Sequence, residues 1–141
     1  MPDVFLLGLP EDIEALAPDD PPDEVALCLS AGPLHREARL PLYALIHGLL
    51  LDEAASFEFL VRALAEEGPF LLGVDPRFSE KLATLEDDAI ETLMAQWRTC
   101  AAIEELELDS EDLLKFLFEL VNLCKIRDQD RALELFIYHE G

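Results

Sequence analysis

Residues 109–127 read DSEDLLKFLFELVNLCKIR, and this stretch decides the class of fold. Asp109 stands where a helix N-cap belongs, Glu111 and Asp112 fall in the first turn, and Lys125 and Arg127 lie near the other end. That is the charge order a helix dipole favours. Between those ends Leu113, Leu114, Phe116, Leu117, Phe118, Leu120, Val121, Leu123 and Cys124 leave almost no side of the helix polar. A helix over residues 110–126 that is apolar nearly all round is either central in a core or has one face against a partner. On the second reading Phe116 and Leu123 carry the contact, and a face this broad is also compatible with a homodimer.

Working outward, the turn-like residues 127–130 lead into 132–138, which read as a last strand with Leu133, Leu135 and Ile137 on one side. Upstream, helix is expected from Ser79 onward. Thr84 is its candidate cap, Asp87 and Asp88 suit its start, and Ile90, Leu93, Met94, Trp97 and Ala101 form its apolar stripe. Leu42, Leu45, Ile46 and Leu49 repeat at helical spacing after Pro41, and Phe57, Leu60, Val61 and Leu64 repeat the pattern before the stop Gly68-Pro69. Two helices packed as a hairpin are expected there. Short apolar runs at 4–9, 25–30 and 70–74, punctuated by Gly, Pro and Asp, have the length of buried strands. Leucine outnumbers valine plus isoleucine by 29 to 11, which favours helix over sheet. The expected fold is α+β, a single helix-dominated domain over residues 1–141 with a small sheet of short strands, an all-α bundle being the alternative.

The chain has 141 residues, 51% of them apolar, enough for one core. Its charge is lopsided, with 31 acids against 10 lysines and arginines and a net charge of -21. Direct binding to nucleic acid or to anionic lipid needs a basic footprint, so both classes are disfavoured. The longest uncharged stretch, residues 40–51, is far shorter than the roughly 20 residues that span a bilayer. Three cysteines without a secretory leader pattern do not suggest a disulfide framework, and a cytoplasmic setting is expected. The first 35 residues hold eight acids and no lysine or arginine. Within them the proline-rich residues 18–24, with Asp19, Asp20 and Asp23, read as an exposed, extended acidic loop and a candidate interface.

Chemistry-bearing motifs are sparse. Cys28, Cys100 and Cys124 and His35, His47 and His139 lack the close pairing of a zinc site, so no metal is expected. The six glycines form no phosphate loop, so no nucleotide cofactor is expected, and no serine sits in a nucleophile elbow. Cys28 is the thiol to watch, because His35 and Arg36 follow it closely and such neighbours lower a thiol pKa, although a core-facing thiol is the plainer expectation. Trp97 is either core or an interface anchor. Charge is then the strongest functional feature. A negative field attracts basic proteins and speeds their association, so the leading expectation is a non-catalytic interaction module of inhibitor, immunity or adaptor type engaging a basic protein. The alternative is a small enzyme or ligand-binding domain whose site is assembled from Cys28, His35, Arg36 and Trp97.

Overall fold

A computed structural model describes residues 2–140. Its strands are β1 (Val4–Gly8), β2 (Ala26–Ser30), β3 (Glu58–Ala63), β4 (Phe70–Val74) and β5 (Glu134–His139), and every pairing is antiparallel. The sheet order is β2-β1-β5-β4-β3, so the first and last strands of the chain meet at its centre. Seven helices accompany it among the described residues: α1 (Pro10–Glu14), α2 (Arg36–His47), α3 (Leu51–Ala54), α4 (Pro76–Leu82), α5 (Asp87–Arg98), α6 (Ala101–Glu104) and α7 (Ser110–Gln129). The fold is α+β and helix-dominated, as the leucine-rich composition implies. No helix among the described residues is long and apolar enough to cross a membrane.

Period-two alternation places the core on both sides of the sheet. Phe5, Leu7, Leu135 and Ile137 join the large cluster under the helices, while Leu6, Leu71, Phe136 and Tyr138 point the other way and are covered by Ile13 of α1, Leu16 and Leu64. Burial on both faces explains why β1 reads as a continuous apolar run. Helix α7 lies inside the large cluster, with Leu113, Leu117, Leu120, Val121 and Cys124 almost fully buried. Its apolar residues therefore face the core, while Glu111, Lys115, Glu119 and Asn122 keep the opposite side of the helix exposed, so it is not central. Phe116 and Leu123, the residues expected to meet a partner, are each only 8% exposed and are closed off by the chain's own elements.

Several local expectations are corrected. Residues 58–63 form the edge strand β3, paired with β4 through the loop containing Gly68-Pro69, so there is no helix hairpin. Phe57, Leu60, Val61 and Leu64 fit a helical template by spacing, but Leu60 is 62% exposed, and pairing with β4 decides the backbone. Helix α2 begins at Arg36, with Pro41 inside it, and Gly48 ends it at φ 62 and donates its N–H to Ala44. That left-handed stop is where glycine belongs. The helix expected from Ser79 onward is two, with a break at 83–86 between α4 and α5; Glu86, not Thr84, stands at the N-cap of α5, and Asp75 caps α4, its Oδ1 accepting from the Arg77 amide at 2.9 Å. Asp109 occupies the N-cap position of α7 without a side-chain capping bond. The acidic loop is exposed but not extended, because Asp20 accepts from the Ala17 amide at 2.9 Å and Pro22–Glu24 form a 3-10 turn.

Gly8 shows how tightly α1 closes the far side of the sheet. A Cβ on Gly8 would stand 2.7 Å from the Val25 carbonyl oxygen and 3.1 Å from Ile13 Cδ1. Because the first obstacle is backbone, Gly8→Ala is expected to destabilise the fold by about 2 kcal/mol, as overpacking does. Urea unfolding of the variant checks this, and an unchanged midpoint would contradict it.

Candidate functional site

The sequence candidates fall in different places. Cys28 sits on the edge strand β2 opposite Leu6 and is exposed, contrary to the expected core-facing thiol. Burial and the nearby Asp23 carboxylate push its pKa up, which opposes activation. Trp97 is fully buried and donates Nε1–H to the Ala38 carbonyl at 2.8 Å, so it is a core residue. Asp19, Asp20 and Asp23 are exposed on the loop before β2. His35 and Arg36, by contrast, share one cavity of about 360 Å³ with Asp3, Glu37, Arg39 and His139.

Asp3 and Arg39, which line that cavity, belong to a buried polar network that the sequence reading missed. Arg39, 1% exposed, grips Glu58 with two parallel hydrogen bonds, Nε to Oε2 at 2.8 Å and Nη2 to Oε1 at 2.9 Å. Its Nη1 donates to Asp3 Oδ2 at 2.7 Å and to the Leu34 carbonyl at 2.8 Å. The Tyr43 hydroxyl donates to Glu58 as well. Burial disfavours the Arg39 charge, but the Glu58 and Asp3 carboxylates outweigh that and hold it protonated. Burial, with Glu58 beside it, raises the Tyr43 pKa well above the ordinary phenol value, so Tyr43 serves as a donor. Burial also acts to raise Asp3, yet hydrogen bonds from His139 and Arg39 leave its carboxyl below the usual range.

Where the network reaches solvent it presents histidine and arginine. His139 Nδ1 lies 2.6 Å from Asp3 Oδ1, and the ring is 44% exposed. Arg36 donates Nη2 to the Ala55 carbonyl at 3.0 Å, has Nε 3.9 Å from Glu58, and stays 45% exposed. His35 Nδ1 lies 3.1 Å from Glu37 Oε2. The signal in the sequence was Arg39 itself, a charge three residues before Leu42 on the buried stripe of α2, where a charge persists only with partners.

A second concavity lies farther along α2 and shares Glu37 as a wall. It is an apolar groove of about 550 Å³ between α2, α3 and α6, lined by Pro41, Ala44, Leu45, Leu49, Leu51 and Ala101, with Glu105 at its rim. Leu45, Leu50 and Leu51 are exposed by 39%, 72% and 54%. From Thr99 to Leu114, the segment containing α6, there are six acids, Glu104, Glu105, Glu107, Asp109, Glu111 and Asp112, and no lysine or arginine. Compared with protein-family models, curated proteins and solved structures, the chain matches none.

Proposed function

We propose that this protein is a non-catalytic interaction module, of inhibitor, immunity or adaptor type, that engages a basic protein partner. The observation that carries this reading is the apolar groove between α2, α3 and α6, with Glu37 and Glu105 in its lining. Exposed leucines offer an apolar seat, and the carboxylates beside them favour a partner segment with lysine or arginine on its flanks. An amphipathic basic helix meets both demands. The net charge of -21 supports the same reading, since it speeds the approach of a cationic partner in a salt-dependent way.

The test uses a synthetic amphipathic helix of leucine and lysine, titrated against the wild type and against Leu45→Gln/Leu51→Gln at low and high salt. Both positions are exposed, so the double variant should fold, and it leaves the charge unchanged. The peptide is expected to bind the wild type and to weaken as salt rises. In the variant the affinity should fall about tenfold, or ~1.4 kcal/mol. Equal affinity for both proteins would reduce the binding to unspecific charge attraction and overturn the reading.

A further inference from the structure

We propose that the cavity formed by His35, Arg36 and His139 is a binding site for a small oxyanion, a carboxylate or phosphate group, taken up together with a proton. In a chain with only 10 lysines and arginines and three histidines, two arginines and two histidines line this one cavity. Its volume, about 360 Å³, suits a metabolite-sized ligand. Most of the polar atoms in the network that Asp3 and Arg39 carry away from the cavity are already engaged. Asp3 uses both oxygens, one on Arg39 and one on His139, and Glu58 uses both on Arg39 and Tyr43. Arg36 differs, because its guanidinium is held at one edge by the Ala55 carbonyl while the side chain remains 45% exposed. A guanidinium fork braced in this way matches the two oxygens of a carboxylate or phosphate.

The coupled proton follows from the charges present. Arg36 and Arg39 balance Asp3 and Glu58, and Tyr43 is neutral, so this set sums to zero. Glu37 adds a negative charge at the rim, and Glu140 follows His139 at the end of β5. Hydrogen bonding through Nδ1 to Asp3 leaves Nε2 of His139 as its other polar atom, an acceptor when the ring is neutral and a donor when it is protonated. His35, bonded through Nδ1 to Glu37, is built the same way. An oxyanion needs the donor form. The protonated imidazole is the form that donates to an oxyanion and adds to the charge of Arg36, so binding is expected to tighten as pH falls.

The experiment follows the three histidine side chains by NMR while formate, and separately inorganic phosphate, is titrated in at constant ionic strength at about pH 6 and about pH 8. His47 is the internal control, since it does not line this cavity. The expected result is a saturating shift of His139 and His35, with His47 unmoved, reached at lower ligand concentration in acid. Arg36→Gln should weaken it about tenfold or more. Saturation with formate alone assigns a carboxylate, with phosphate alone a phosphate. Shifts that are linear and equal at all three histidines, no shift at His139, or unchanged binding in Arg36→Gln would overturn the proposal.

Discussion

Replacing Arg39 with methionine is expected to lower the free energy of unfolding by about 3–5 kcal/mol, because it leaves Glu58 and Asp3 as buried charges with no cation between them. The two carboxylates come from opposite parts of the sheet, Glu58 from edge strand β3 and Asp3 from the residue before β1, and Arg39 joins both to α2. The loss should be read by urea unfolding at neutral pH. A second variant, Arg39→Met/Glu58→Met, removes one of the stranded charges together with the cation, and part of the loss should return. If Arg39→Met alone costs under about 1 kcal/mol, the network contributes no more than a surface ion pair would. The same bonds set a pH dependence. Asp3 has a lowered pKa in the folded state, so its contribution is present above the ordinary Asp range and is lost as pH falls through the lower folded value. The wild type should weaken in acid over that window, and Arg39→Met, having lost one of the two partners that hold Asp3 down, should show a flatter slope.

What was legible in the sequence follows from which constraints are local. Helix α7 was legible because acids at its start and bases at its end bracket an apolar run too long for a strand. Strands β1, β2 and β4 were legible from glycine, proline and aspartate punctuation around short apolar runs, and β5 from the alternation of Leu135 and Ile137. Strand β3 was not. Phe57, Leu60, Val61 and Leu64 satisfy a helical spacing, and only pairing with β4 and the inward turn of Glu58 toward Arg39 settle the backbone as extended. Those partners lie outside any local window.

The site divides in the same way. His35 and Arg36 were singled out only as near neighbours of Cys28; they share a cavity, but Cys28 does not line it. Asp3 and His139, 136 positions apart, meet only because β1 and β5 pair at the centre of the sheet. No short window contains that meeting. The groove was hidden for another reason. Its leucines belong to the apolar pattern of α2 and to the start of α3, and periodicity counts them as core, although Leu45 and Leu51 lie on the open side. Apolar character does not distinguish a residue facing the core from one facing a groove. For α7 the same ambiguity resolved the other way, toward the interior.

Trp97→Ala is expected to cost about 3–5 kcal/mol, the range for truncating a large buried aromatic, because the ring is fully enclosed and the space cannot be refilled by neighbours fixed in three helices. Its indole packs beside Phe116 of α7, with ring centres 6.3 Å apart, and its Nε1–H reaches the Ala38 carbonyl of α2. Trp97→Phe keeps most of the volume but removes that donor, so it should cost less, about 1–3 kcal/mol. The order matters more than either number. A tryptophan that anchored a partner would leave stability nearly unchanged when replaced and would abolish binding, whereas a core tryptophan does the reverse. Since Ala38 lies between Glu37 and Arg39, the bond from Trp97 holds the turn of α2 that supplies both the cavity and the near wall of the groove. At concentrations of denaturant where Trp97→Phe is still folded, its affinity for the leucine-lysine peptide should stay within about threefold of the wild type, a difference of ~0.7 kcal/mol. A larger loss of binding in a folded Trp97→Phe protein would show that the indole sets the position of α2 at the groove.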